Sequence, residues 1–235
     1  MQMNPPVALG ALPRARQDPP DSAPRSAAEG VAPSLVGLFH AVHALRSGGG
    51  AFVLQFVAPH AGAGTSLIAG GFAAQAARAG NGGVLLVDVS PSGPQRADDD
   101  AQALLGGALV CRQVAGRAGF CTATLASQLH AGVALAPDAV AHCLVQLRTR
   151  FDIVVLDCAP LSVLPQVAML ARHCDGTALV VQAERTERDE VLAARRSIEA
   201  MGGQILGAVF NRARIAAARP PGNTGRMPWR RGVQG

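Results

Sequence analysis

The sequence predicts an α/β fold, a mostly parallel β-sheet with helices on both faces. Two observations carry this expectation. Short runs that are apolar throughout, at residues 51–58 (AFVLQFVA), 83–89 (GVLLVDV) and 151–157 (FDIVVLD), alternate with longer helix-forming stretches. Strands apolar on both sides belong in a sheet covered on both faces. The first of these runs also leads straight into a glycine-rich turn and then a helical stretch. Right-handed crossovers place the ends of such strands along one edge, where function is expected.

The elements follow in order. Residues 1–33 hold seven of the 16 prolines and no apolar period, so they are expected to form a flexible leader. Leu35, Leu38, Phe39, Val42 and Leu45 recur at helical spacing, and Gly48, Gly49 and Gly50 stop that helix. A strand over 51–58, a helix over 65–79 and a strand over 83–89 come next. Residues 95–130 lack a clear period and are expected to hold one or two short helices. Pro137 suits the first turn of a helix reaching residue 150, followed by a strand over 151–157. A strand over 177–182, a helix over 187–201 and a strand over 204–210 complete a domain expected to span 34–214. Residues 215–235 return to Pro, Gly and Arg and are expected to form a basic disordered tail.

Composition narrows the chemistry. The 235 residues are 49% hydrophobic, enough for a sizeable core, and carry a formal charge of +5. All 21 cations are Arg; there is no Lys and no Tyr. Reactions that need a lysine ammonium or a phenol acceptor are therefore closed to these side chains. The charge is also local: residues 34–211 carry 12 Arg and 13 acids, whereas residues 212–235 carry six Arg and no acid. A uniformly basic nucleic-acid surface is not implied, and no specific nucleic-acid partner is expected. Arg219, Arg226, Arg230 and Arg231, with Trp229, would suit an anionic lipid surface or an acidic segment. The five Cys (111, 121, 143, 158, 174) form no CxxC pair and read as small hydrophobes in a reducing cytosol. No charged segment precedes a long apolar run, and no apolar run approaches the ~20 residues of a membrane span. A cytoplasmic protein, peripheral at most to the inner membrane face, is expected. His40 and His43 share a helix face, but no third metal ligand accompanies them.

The site-bearing motifs lie at strand ends. Pro59-His60-Ala61-Gly62-Ala63-Gly64-Thr65-Ser66 joins a strand to a helix. Such a turn aims consecutive N–H groups inward, and the helix end adds roughly half a positive charge. The spacing matches a P-loop, with Thr65 in the lysine position and Ser66 placed to ligate magnesium. Gly62, Ala63, Gly64, Thr65 and Ser66 are thus candidate nucleotide-binding residues. Asp88 and Asp157 each end a buried strand, where a carboxylate is costly unless paired, hydrated or metal-linked. Asp157 fits a magnesium-water ligand facing Ser66, and Asp88 a carboxylate that orients water or metal. The bland alternative for either acid is a cap on the next turn or helix.

With these motifs in order, residues 37–214, about three quarters of the chain, resemble the bacterial tyrosine kinases of capsule and exopolysaccharide synthesis, a family of deviant-Walker P-loop ATPases. The resemblance rests on Gly37–His43, Gly62–Ser66, Asp88–Pro94, Phe151–Pro160, Asp175-Gly176 and Leu206–Asn211. It implies a P-loop NTPase-type fold, ATP and Mg as cofactors, and nucleotide contact by Asn211. By the same resemblance, the partner would be the cytoplasmic part of a membrane chain-length determinant, with homo-oligomerisation possible.

The departures matter as much. Thr65 replaces the P-loop lysine, Ser90 the second acid after the second strand, and Ser92-Gly93 an Arg pair. Ala159 replaces the first Pro after Asp157, and Gln166 stands where an Asp is usual. The first helix lacks its Glu (Gly37) and both Arg (His40, His43), and the acceptor tyrosine cluster is missing. Lysine's charge-assisted bonds are worth about 1.5–3 kcal/mol, so losing them weakens phosphate binding roughly ten- to a hundred-fold. The transfer step, which spreads negative charge, should suffer more. The resemblance therefore implies a tyrosine-kinase-like regulator with a degenerate nucleotide site and no tyrosine autophosphorylation, at most a weak ATPase or kinase. The alternative is an active ATPase that switches between monomer and dimer, as in cellulose secretion, partitioning or pilus positioning.

Overall fold

The computed structural model describes residues 33–46, 50–80, 82–89, 102–104, 109–114, 120–124 and 137–213. The expected leader (all but Pro33), the basic tail and Ser90, Ser92 and Gly93 lie outside them. Eight strands form one sheet in the order β3-β4-β5-β2-β6-β1-β7-β8. They are β1 (Phe52–Val57), β2 (Val84–Val89), β3 (Gln102–Leu104), β4 (Leu109–Gln113), β5 (Phe120–Thr124), β6 (Ile153–Cys158), β7 (Gly176–Gln182) and β8 (Ile205–Asn211). The six strands from β5 to β8 run parallel, and β4 and β3 extend the sheet antiparallel at one edge. The expected α/β sheet, mostly parallel and with helices on both faces, is what forms.

Two cores sandwich the sheet. On one face α1 (Pro33–Leu45) and α2 (Thr65–Arg78) bury Leu35, Phe39, Val42, Ile68 and Phe72 against Leu54 and Phe56 of β1. The Phe72 ring lies 5.5 Å from that of Phe56 and 6.2 Å from that of Phe39. On the other face α3 (Pro137–Arg148), a 3-10 helix (Pro165–His173) and α4 (Arg188–Ala200) cover Val53, Leu85, Val154 and Leu156. Buried Gln55 links the layers: its amide donates to the Val167 carbonyl at 2.8 Å and accepts from the Thr177 hydroxyl at 3.0 Å. At the opposite edge from the site, Asp175 accepts from the Val53 N–H at 2.7 Å and pairs with Arg148 at 2.8 Å, joining β1, β7 and α3.

The described parts of residues 95–130 are the strands β3, β4 and β5, which the sequence pattern does not predict; the expected short helices would lie outside the described residues. Three to five residues are too few to show a period, and it is pairing that makes them strands. β5 lies alongside β2 with Val84 level with Phe120, and β4 folds back on β5. A 3-10 helix over Pro165–His173, which the sequence pattern does not predict, precedes β7. β8 reads apolar, yet Ala208 and Phe210 are exposed, and among the described residues β8 pairs with β7 alone.

Candidate functional site

Register brings the motifs together. Asp157 of β6 is level with Asp88 of β2 on one side and Phe56 of β1 on the other. The loop leaving β1 therefore opens beside both acids. Backbone bonds from Leu161 to Ala58 (2.9 Å) and from Ser162 to Pro59 (3.1 Å) tie the loop after β6 to its start.

Ala63 is 1% exposed, its methyl packed into the core, while Ala61 and Gly62 face solvent. Gly62 and Gly64 flank it with φ of +84° and +89°, a region that favours glycine. This alternation of φ signs turns successive N–H groups toward one concave side. None of the N–H groups of residues 61–67 donates to a backbone carbonyl among the described residues. The first helical bond of α2 runs from Ile68 to Gly64 at 3.1 Å, and no side chain caps the helix. Such orphaned donors at a helix N-terminus are a ready anion site.

The other candidates take distinct places. Thr65 is 8% exposed and faces inward, so no cation extends from the lysine position. Ser66 is exposed, and its side chain stands close enough to Asp157 to act on that carboxyl. Burial pushes the Asp157 carboxyl up to about 6, against the lowering effect of Ser66; the negative charge of Asp88 pushes it further up. A carboxylate held this way gains from a cation beside it. Asn211, at the end of β8, donates from Nδ2 to the Ala63 carbonyl at 2.8 Å. A Cβ on Gly64 would collide with that same amide. Asn211 thus braces the loop from the far side of β7. The residues present fit a phosphate chain with a magnesium ion between Ser66 and Asp157.

Two side chains at the loop carried no signal in the sequence. His60 Nε2 lies 2.9 Å from the Thr186 hydroxyl. Arg185, in the turn between β7 and α4, sits over Gly62: a methyl placed there would be 3.1 Å from its Nη1. Only the sheet order, with β7 between β1 and β8, brings this turn to the loop. Elsewhere, His40 and His43 are exposed on α1, their rings around Phe39. Gln166 is exposed at the start of the 3-10 helix. Burial pushes the thiols of Cys111 and Cys158 up to about 12 and that of Cys143 to about 11, so they stay protonated and inert. Among the described residues no helix is long and apolar enough to cross a membrane.

No protein-family model matches the chain. It is 32% identical over 72 residues to the tyrosine-protein kinase CpsD of Streptococcus agalactiae, a stretch covering 31% of each protein. The chain thus spans about a third of that relative's length. The kinase domain of the Escherichia coli tyrosine kinase ETK superposes with a TM-score of 0.61 at 19% identity, covering 79% of this chain and 78% of that one. Cobyrinic acid a,c-diamide synthase from Mycobacterium smegmatis, with a bound ATP analogue and magnesium, superposes with a TM-score of 0.54 at 22% identity, covering 68% and 72%. The chain therefore shares the α/β fold of these structures, and a stretch of 72 residues is similar in sequence to a bacterial tyrosine-protein kinase.

Proposed function

We propose that this protein is a cytoplasmic, tyrosine-kinase-like P-loop regulator of exopolysaccharide or capsule synthesis and export. In this reading it binds Mg·ATP weakly and acts on the cytoplasmic part of a membrane chain-length determinant. The observation that carries it is the row of N–H groups at residues 61–67 that find no backbone acceptor among the described residues, wrapped around two left-handed glycines beside Ser66 and Asp157. That arrangement suits phosphates and magnesium, the kinase relative supports the kinase-like reading, and the polysaccharide assignment follows from the family that residues 37–214 resemble.

Gly62, Ala63, Gly64, Thr65 and Ser66 would hold the phosphates, Ser66 and Asp157 the magnesium, and Asp88 a water beside it. Bound magnesium would neutralise charge on the phosphates. Asn211 would keep the loop shaped for them. The buried Thr65 contributes no charge to a transferred phosphoryl group, and these 235 residues offer no tyrosine to receive one. Binding without tyrosine autophosphorylation is the function this supports, with ATP occupancy serving as a signal to the partner.

Calorimetric titration with ATP, with and without magnesium, tests the reading. Magnesium-dependent binding is expected, lost in Ser66→Ala, with phosphate release far slower than in a working ATPase. Brisk release abolished by Asp157→Ala would favour the monomer–dimer switch instead.

A further inference from the structure

The cradle lacks the cation its geometry invites, and the fold brings one from elsewhere. We propose that Arg185, on the turn between β7 and α4, is the phosphate-binding cation of this site, reaching over Gly62 to the terminal phosphate of a polyphosphate chain. This inference rests on the reading that residues 61–67 hold phosphates.

Four observations support it. The guanidinium is already at the cradle: a Cβ on Gly62 would stand 3.1 Å from Arg185 Nη1 and 4.0 Å from its Cζ. Gly62 is exposed and left-handed, so the group lies on the open side of the loop. Second, the side chain is little committed. Its hydrogen bond to Gln182 Oε1 is long, 3.5 Å, and it takes part in no ion pair among the described residues. Arg46, Arg148 and Arg195, by contrast, each pair with a carboxylate.

Third, the turn is built to hold Arg185 there. Glu184 takes a φ of 64°, which a non-glycine residue adopts at a cost. That reversal is fastened by the Ala183 N–H to the Asn211 carbonyl (2.9 Å) and the Thr186 N–H to the Gln182 carbonyl (3.0 Å). Fourth, the turn is stitched to the phosphate loop itself. The Gln182 N–H donates to the Thr186 hydroxyl at 3.0 Å. His60 Nδ1 lies 2.9 Å from the Ala61 carbonyl, which can only accept, so the ring proton sits on Nδ1. When the ring is neutral, Nε2 accepts the proton of the Thr186 hydroxyl 2.9 Å away. His60 is thus a positioning residue two places before Gly62, and its proton chain sets the distance between turn and cradle.

A planar guanidinium offers two parallel donors to phosphate oxygens, which a lysine cannot. It also explains why a chain without lysine retains the cradle. The ligand class is a polyphosphate, either on a nucleoside or free.

Titrating the full chain with Mg·ATP, Mg·ADP and tripolyphosphate separates the outcomes. Arg185→Ala is expected to weaken ATP and tripolyphosphate binding roughly ten- to a hundred-fold, with a smaller loss for ADP. Arg185→Lys should restore part of this, and Arg188→Ala, an exposed neighbour, should change it less than about twofold. His60→Ala should weaken ATP several-fold while leaving the melting temperature nearly unchanged. Equal or tighter ATP binding by Arg185→Ala would overturn the inference and leave the nucleotide reading standing. Arg185-dependent binding of tripolyphosphate without ATP binding would sustain the inference and sink the nucleotide reading. Binding of neither by the wild type would sink both.

Discussion

Asp157 shows what a single residue contributes. It is 9% exposed, and its carboxyl, ordinarily near 3.8, is raised to about 6 chiefly by burial. The folded chain then holds this proton more tightly than the unfolded chain does. Unfolding releases it between those two values, so this group's contribution to stability is fully present below the lower one and is lost as pH rises through about 6. At ~1.4 kcal/mol per pKa unit, the ionised carboxylate costs the ligand-free protein up to about 3 kcal/mol at neutral pH. Asp157→Asn should therefore raise stability at pH 7.5 without magnesium by about 1–3 kcal/mol and flatten its pH dependence. Melting curves at pH 4.5 and 7.5 in chelator check this; identical differences for both proteins would refute it. The same variant should bind Mg·ATP worse, because stability and site pull in opposite directions here.

Among the elements, α4 is the one whose start matters to the site. Glu187 and Glu190 form a capping box, with Glu190 Oε2 accepting from the Glu187 N–H at 2.9 Å. Glu190 Oε2 also lies 4.0 Å from His60 Nε2, so the cap faces the stitch between turn and loop. Glu190→Ala removes the reciprocal bond and should cost about 1 kcal/mol. Hydrogen exchange should quicken in residues 183–190 while β1 and β6 keep their protection. Uniform change along the chain would contradict this local role. The short strands β3, β4 and β5 illustrate the reverse dependence, since their conformation comes from neighbours rather than from their own residues.

For the molecule as a whole, stability resides in the two layers flanking the sheet. Phe72 is fully buried where α1, α2 and β1 meet. Phe72→Ala should lower global stability by about 3–5 kcal/mol, with the cavity adding to the lost transfer energy. Phe210, 63% exposed on β8, should be near neutral, with Phe210→Ala within about 0.5 kcal/mol. Denaturant titration of both variants checks this contrast between a buried and an exposed aromatic ring.

Much of the frame is legible in the sequence. Apolar runs at residues 51–58, 83–89 and 151–157 announce buried parallel strands because two-sided burial leaves no polar alternation. Gly62, Gly64, Ser66, Asp88 and Asp157 were legible because a phosphate loop and two strand-end acids are local patterns. The placement of Asn211 under Ala63 is geometry that its motif alone did not contain. Three things had to wait for the tertiary structure: the strands within 95–130, the inward turn of Thr65, and the meeting of Arg185 and His60 at the cradle. For the last of these, strand order puts residues over a hundred positions apart side by side, as with His60 and Thr186. The short strands take their form from pairing with β2 and with each other, and no local period or spacing encodes which strand lies next to which. The chain itself thus determined the layered α/β frame and the phosphate-loop backbone, while packing decided which cation stands over it.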